Sequence, residues 1–219
     1  MYGRFRVVML AALAIGLVAG CGDTDGAPEA EGPPSPSASP VPAGPPWYDD
    51  VPPAAPGDTI GADGTPCATL RVTFDMPTKW TAKPVEVTEE SAELAQLGGA
   101  NMWCEIDAKP AGAIGFLRVW MVDKGAVVGA RKGLEQFLAA YGTLSEVRYR
   151  DTKAGPISAI EATFLQESEL TGDRKRGRAM VVATRLGTYL FTLGGTDTDE
   201  FEAMFPAYQL MKQSFAVKR

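Results

Sequence analysis

Three cysteines are the side chains of this sequence best suited to covalent chemistry. Cys21 follows Ala19 and Gly20, and small residues directly before a cysteine form the lipobox pattern at which signal peptidase II cuts an exported chain. The freed cysteine takes a diacylglycerol through a thioether, and two acyl chains hold a protein on a bilayer more firmly than one. We therefore expect Cys21 to be lipidated. The alternative is an ordinary secretory signal with a chance cysteine.

Cys67 and Cys104 are the other two cysteines. An even pair outside the cytoplasm, in an oxidising compartment, most simply forms a disulfide. A redox-active pair is the alternative, but it would need the close Cys-x-x-Cys spacing that is missing here. We therefore predict a structural disulfide between Cys67 and Cys104.

Motifs for catalysis are missing from the chain. It contains no histidine, which excludes Ser-His-Asp and Cys-His nucleophile systems and histidine-ligated zinc. It has no Gly-x-Ser-x-Gly turn and no glycine-rich phosphate loop. A carboxylate pair, or a serine with a lysine, remains chemically feasible, but no such pair stands out. We expect no enzymatic activity, no metal and no cofactor.

An acidic cluster near the C-terminus offers oxygen ligands for calcium. It lacks the spacing and the glycine of an EF-hand loop. Acids in the first turn of a helix complement the helix dipole, and Asp197 with Glu200 fits a capping pair. We therefore interpret the cluster as the start of a helix. Its members are Asp197, Asp199, Glu200 and Glu202.

A basic cluster follows the turn sequence Thr171-Gly172-Asp173, near the expected tip of a long hairpin. It is a candidate interaction patch for anionic lipid or wall polymer, because each cation close to an anionic surface contributes about 1 kcal/mol. The alternative, which we favour, is a solvated loop. The cluster consists of Arg174, Lys175, Arg176 and Arg178.

The N-terminal third predicts export and tethering. Arg4 and Arg6 precede an apolar run over 7–19, shorter than the about 20 residues that a spanning helix needs, so residues 1–20 form a signal peptide. Residues 22–66 hold 12 of the 17 prolines, eight acids and no lysine or arginine. Such a composition forms no core. We predict that 21–66 is the lipidated cysteine followed by a disordered, Pro-rich acidic tether.

Pro46-Trp47-Tyr48 is the aromatic island of this tether. It is either a docking motif for a partner or a clasp that holds the tether on the following domain. We favour the clasp.

Residues 67–219 have the size of one domain, and their 19 basic and 19 acidic side chains balance. The net charge of −6 therefore belongs to the tether, and the domain offers no basic field for nucleic acid. Alternating apolar residues from Leu70 to Phe74 predict a first strand, which Met76-Pro77-Thr78-Lys79-Trp80 ends as a turn. Further strands are predicted at 101–108, 115–123, 144–152, 157–166, 177–185 and 188–194, the last two joined at Leu186-Gly187.

Helices are predicted at 127–141 and from 197 to the C-terminal region. Several strands are apolar on both faces, so the sheet needs cover on both sides, and each helix carries one apolar stripe. Pro206 interrupts the second stripe, and an interior proline costs about 3 kcal/mol. We expect that helix to break near Phe205. Trp80, Trp103 and Trp120 are core residues by default, with the lining of a ligand groove as the alternative.

The stretch from Phe74 to Trp80, with its Pro-x-x-Trp, and the closing Met211-Lys212-Gln213-Ser214-Phe215 resemble the LpqN-like actinobacterial lipoproteins, a branch of the PsbP-like group. The resemblance covers most of residues 68–216. It implies an α+β fold, an α/β/α sandwich in which helices cover both faces of a mostly antiparallel sheet. It also implies an adapter or accessory role without a catalytic centre, so no active-site residues are carried over.

Together these features predict a noncatalytic binding or adapter module for another envelope protein, held on the extracytoplasmic side of the cell membrane by the lipid on Cys21. The alternative is a carrier of a small hydrophobic molecule or lipid. A carrier would need one sizeable apolar cavity between sheet and helix, whereas an adapter would show a filled core and an exposed patch.

Overall fold

The computed structural model describes residues 45–219, except 87, 90, 123–128 and 169–170. All of these residues belong to one compact unit. In this part of the chain no helix is long and apolar enough to cross a membrane. Cys21 and the signal peptide lie outside the described residues.

The described residues form β-strands, three α-helices and a short 3₁₀ helix. The strands are β1 (Asp58–Ile60), β2 (Val72–Met76), β3 (Thr81–Pro84), β4 (Gln96–Leu97), β5 (Ala100–Asp107), β6 (Gly115–Val122), β7 (Leu144–Ala154), β8 (Ile157–Glu167), β9 (Arg174–Thr184), β10 (Gly187–Gly195) and β11 (Ala216–Val217). The helices are α1 (Ala92–Ala95), α2 (Ala130–Ala140) and α3 (Thr198–Ser214), and the 3₁₀ turn is Lys109–Ala111.

A large sheet dominates the fold, and its strands follow the order β3-β5-β6-β10-β9-β8-β7, with β4 paired to β5. The pairings between these strands are antiparallel, which confirms the expectation of a mostly antiparallel sheet. A second, small sheet has the order β1-β2-β11. The six strands predicted after residue 100 are all present, and the β9–β10 hairpin turns at Arg185 and Leu186, one residue before the predicted position.

Two clusters of buried apolar side chains hold the large sheet in place. Successive side chains of a strand point to opposite faces, and β6 illustrates this: Val119 belongs to one cluster and Trp120 to the other. The first cluster includes Phe201, Phe205 and other residues of α3. The second includes the α2 residues Leu134, Phe137 and Leu138.

Helix α3 is continuous from Thr198 to Ser214, with Pro206 inside it. The predicted break near Phe205 is therefore wrong. Phe205 and Ala207 on either side of the proline are both buried, and the burial of apolar surface before and after Pro206 offsets the missing hydrogen bond. Asp197 caps this helix as predicted, because its carboxylate accepts a hydrogen bond from the Glu200 amide at 2.9 Å.

The domain begins earlier than residue 67. Strand β1, inside the predicted tether, pairs with β2, and Ile60 is buried in the first core cluster. Tyr48 and Val51 also pack against that cluster. The segment forms no core of its own, but its few large apolar side chains are buried by residues far away in the sequence. The predicted disulfide between Cys67 and Cys104 is present, with the two Cα atoms 5.9 Å apart.

Candidate binding sites

The predicted basic patch at 174–178 does not form one surface. These residues lie on β9, where successive side chains face opposite sides of the sheet, so Lys175 faces away from Arg174, Arg176 and Arg178. Arg178 is completely buried, and Lys175 donates to the Gly195 carbonyl at 2.8 Å. Arg176 contacts Glu202. Only Arg174 remains largely exposed, and its nearest carboxylate is 4.0 Å away.

Glu161 is the centre of a buried ionic cluster between the sheet and α3. Its carboxylate accepts hydrogen bonds from Arg150 at 2.8 Å, Tyr208 at 2.9 Å and Lys212 at 3.1 Å. Arg150 is its cross-strand neighbour on β7, and Nη1 of Arg178 lies 3.6 Å away. We call these five residues the Glu161 cluster.

Burial and charge act against each other within this cluster. Burial alone raises the pKa of the Glu161 carboxyl, but Arg178, Lys212 and Arg150 more than offset this effect and hold it below its usual value. Burial lowers the pKa of Arg178, and the charge of Glu161 offsets part of this decrease. Burial and the neighbouring Glu161 charge raise the pKa of Tyr208 well above its ordinary value. Glu161 is therefore ionised and acts as a hydrogen-bond acceptor.

Residues 45–51, which we call the strap, lie over the Glu161 cluster. The Trp47 ring faces three guanidinium groups, at 4.2 Å for Arg150, 5.1 Å for Arg178 and 5.6 Å for Arg148. Asp49 forms a two-point ion pair with Arg150, at 2.6 and 2.7 Å. This arrangement agrees with the clasp interpretation of Pro46-Trp47-Tyr48.

Tyr48 anchors the middle of the strap. Its ring lies 4.9 Å from that of Phe205, and its hydroxyl donates to Glu202 at 2.8 Å. Burial and this hydrogen bond raise the pKa of Tyr48 to about 12. The backbone of Tyr48 has φ 56°, a left-handed conformation that a non-glycine residue adopts only when its surroundings hold it there.

A second candidate site is an open groove of about 630 Å³ beside Trp120, which we call the Trp120 groove. Residues of β6, β10 and the end of α2 form much of its lining. A smaller depression of about 350 Å³ continues it and shares Leu94, Met102 and Glu105. The groove is lined by Leu94, Leu97, Met102, Glu105, Ile114, Gly115, Phe116, Arg118, Trp120, Ala140, Tyr141, Gly142, Gln166, Lys175, Gly194, Gly195 and Thr196.

Charged groups lie among the apolar residues of this groove. Arg118 donates to Glu105 at 2.9 Å and covers the Phe116 ring at 4.6 Å. Burial raises the pKa of Glu105, but its hydrogen bonds with Arg118 and Lys83 bring it below the usual value. Burial and the nearby Arg118 charge lower the pKa of Lys175. Two cations, Arg118 and Lys83, thus flank the Glu105 carboxylate.

Gly194 keeps one part of the groove open. A Cβ on Gly194 would meet its nearest neighbour, the Tyr141 hydroxyl, only at 4.0 Å, so a larger side chain there would occupy the groove. Trp120 itself is buried and donates to the Thr192 hydroxyl at 3.1 Å. Trp80 is also buried and Trp103 is half-buried. Trp120 fits both the core and the groove interpretation, because it belongs to a core cluster and also lines the groove.

Leu94 and Ile114 are the large apolar side chains that the described part of the chain leaves exposed, at 78% and 51%. Both line the Trp120 groove. The sequence pattern did not reveal this site, because its residues come from distant elements. The buried Glu161 cluster was also missed: its members are scattered over β7, β8, β9 and α3, and a lone glutamate in a strand carries no distinctive signal.

Among the described residues, no group of three His, Cys, Asp or Glu side chains comes close enough to hold a metal ion. Within the acidic cluster at 197–202, Asp197 caps α3, Glu200 accepts from the Ile114 amide at 2.8 Å and Glu202 contacts Tyr48 and Arg176. The helix-start interpretation accounts for these contacts.

Comparison with protein families identifies a family of uncharacterised lipoproteins whose model matches residues 37–215. The chain belongs to this family. A lipoprotein family implies a lipid anchor in the membrane. The matched range includes the strap and both candidate sites, but not Cys21.

Two solved structures are similar to this chain. One is the solution structure of cyanobacterial PsbP (CyanoP) from Synechocystis sp. PCC 6803, with 14% identity and a TM-score of 0.45, over 67% of this chain and 86% of that one. The other is the crystal structure of LpqN, involved in cell envelope biogenesis of Mycobacterium tuberculosis, with 12% identity and a TM-score of 0.39, over 68% and 83%. The family match confirms the lipoprotein part of the resemblance drawn from the sequence. No curated protein matches the chain.

Proposed function

We propose that this lipoprotein is a noncatalytic module that binds another protein of the cell envelope through the Trp120 groove. One observation carries the proposal: both large apolar side chains that the described residues leave exposed, Leu94 and Ile114, line this groove. Exposed apolar residues gathered in a concave surface mark binding sites. The other large apolar side chains of the described domain are buried or half-buried.

The groove favours an extended protein segment with apolar and acidic residues. The groove is lined by two cations, Arg118 and Lys175, and one carboxylate, Glu105, and Lys83 lies in the depression that continues it. Charge complementarity directs partner choice. The groove is open to solvent and charged, which suits a peptide chain better than a buried acyl chain. Large side chains fill both core clusters, so the carrier alternative receives no comparable support.

A noncatalytic role also agrees with the chemistry of the described residues. The clearest pKa shifts belong to groups already engaged in ion pairs or hydrogen bonds, such as Glu161 and Tyr208. A general acid or base must instead reach a substrate from a cleft. The chain has no histidine that would supply one.

We further propose that Cys21 carries the lipid on the extracytoplasmic side of the membrane, and that the domain is an α/β/α sandwich. The separate core clusters of α2 and α3 support the sandwich. The linker between Cys21 and the strap comprises residues 22–44. At about 3.5 Å per residue, these 23 residues reach at most about 80 Å.

Site-specific photo-crosslinking in the native envelope tests the groove. A photoreactive phenylalanine analogue replaces Ile114 in the groove or, as a control, the exposed Ser158 on β8. We expect one envelope protein to crosslink at position 114 and not at position 158. Leu94→Asp and Gly194→Leu should abolish this crosslink, whereas Ser158→Asp should leave it intact. Equal crosslinking from positions 114 and 158 would refute the proposal. So would a crosslink at position 114 that Leu94→Asp and Gly194→Leu leave unchanged.

A further inference from the structure

The strap closes a site that is built like a ligand-binding site. Carbonyl groups of the strap accept hydrogen bonds from two arginines: Pro45 from Arg148, and Pro46 and Trp47 from Arg178 at 3.1 and 3.2 Å. The Asp49 carboxylate meets Arg150, and the Trp47 ring lies against all three guanidinium groups. The strap thus resembles a bound ligand: it supplies a carboxylate, an aromatic ring and carbonyl groups that accept hydrogen bonds.

Charge explains why this site needs an occupant. Without the strap, three cations, Arg150, Arg178 and Lys212, share the single carboxylate of Glu161. Arg148 would lose its contacts with the Trp47 ring and the Pro45 carbonyl. An excess of cations that are largely removed from water is costly unless an anion neutralises it. Arg178 is completely buried, and its Nε and Nη1 have no hydrogen-bond partner among the described atoms. The site therefore favours an anionic ligand.

The strap is attached in a way that permits release. Tyr48 has a left-handed backbone, and the side chain of Asp49 remains 64% exposed, so water competes for its ion pair. The Pro-rich residues 52–57 connect the strap to β1. Two backbone hydrogen bonds hold this connection, from Ala54 to Pro206 and from Gly57 to Met76, both at 2.9 Å. Segments held by contacts that are partly open to water can detach locally without global unfolding.

We propose that the site under the strap binds an acidic, aromatic peptide segment of a partner protein, and that the strap is the resident ligand which such a segment displaces. The fitting segment carries a tryptophan or tyrosine for the guanidinium faces and a carboxylate two residues later for Arg150. This site is distinct from the Trp120 groove and goes beyond the proposed function. The covalently linked strap competes at a high effective concentration, so the closed chain admits only a stronger or more abundant ligand.

Fluorescence anisotropy with a labelled peptide of sequence 45–51 (Pro-Pro-Trp-Tyr-Asp-Asp-Val) tests this proposal on the full chain in detergent. The opened variant combines Trp47→Ala with Asp49→Asn. We expect it to bind the peptide at least about tenfold more tightly than the wild-type chain, because the competing strap is weakened. A second peptide with asparagine in place of the aspartate at position 49 should bind at least about tenfold more weakly, because the charged two-point contact with Arg150 is lost.

Three outcomes would overturn the proposal. The first is an opened variant that keeps its thermal transition yet binds neither peptide. The second is equal binding of both peptides, which would mean that the carboxylate is not recognised. The third is concentration-dependent dimerisation of the opened variant with the wild-type chain, measured by sedimentation and abolished by unlabelled peptide. That result would assign the site to the strap of a second copy instead of a partner protein.

Discussion

Two cross-strand glutamate–arginine pairs of the large sheet differ in what covers them. Glu161 faces Arg150 on β7, and Glu105 faces Arg118 on β6. The two arginines are similarly exposed, at 24% and 28%, but Glu161 is 1% exposed and Glu105 is 15% exposed. Helix α3 and the strap close over the first pair, whereas the second lies in the open Trp120 groove.

The same kind of cross-strand glutamate–arginine pair therefore serves two purposes in this sheet. Under α3, the glutamate needs further donors, and Tyr208 and Lys212 provide them, because a buried charge destabilises the fold unless it is paired. In the groove, the Glu105 carboxylate meets Lys83 at the exposed edge. The first pair therefore contributes mainly to stability, and the second remains accessible to a ligand. The predictions below test this division.

Glu161→Gln should have the largest effect on stability. The substitution keeps the size of the side chain but leaves Arg178 and Lys212 without their buried counter-charge, and breaking a buried ion pair costs about 3–5 kcal/mol. Urea denaturation measures the loss. The matched change Glu105→Gln should cost only about 1 kcal/mol. Equal losses would contradict the proposed difference between the two pairs.

The pH dependence of stability should show the same difference. The pKa of Glu161 in the folded protein lies below its usual value, so its stabilising contribution is complete above the unfolded-state pKa of about 4.3. It is lost as the pH falls towards the folded-state value. The free energies of unfolding of wild type and Glu161→Gln should therefore approach each other as the pH falls below about 4.3. A gap that stays constant from pH 7 to pH 3 would contradict this assignment.

Trp47→Ala should have an intermediate effect. Trp47 is half-buried and contacts three guanidinium groups, so we expect a loss of about 1–2 kcal/mol and faster proteolysis within residues 45–57. Phe116→Ala in the groove removes a half-buried ring with one such cation contact and should cost less than about 1 kcal/mol. Thermal unfolding and limited proteolysis compare the two variants.

Leu94→Asp should have the smallest effect on stability. Leu94 is 78% exposed, and substitutions of exposed residues usually change stability by less than about 0.5 kcal/mol. Partner capture through the groove should nevertheless be lost, which separates binding from folding. A large drop in the melting temperature would instead assign Leu94 to the core.

Local sequence patterns were enough to predict most strands of the large sheet, the N-terminal cap of α3 and the disulfide. Short apolar runs predicted the strands from β5 to β10, some of them alternating and others apolar on both faces, because each strand carries its burial pattern in consecutive residues. The capping carboxylate of Asp197 was equally readable, since its hydrogen bond to Glu200 joins residues three positions apart. The pairing of Cys67 with Cys104 followed from the even number of cysteines that remain after Cys21.

Features that depend on distant contacts could not be predicted from local patterns and became visible in the folded protein. The basic residue Arg178 is buried because Glu161 and the strap carbonyls surround it, and α3 continues through Pro206 because its neighbours are buried on both sides. The strap itself has the composition of a tether, yet it lies on the domain through contacts more than 100 residues away in the chain. Local propensity is overridden there because burial and charge pairing over the whole fold outweigh it.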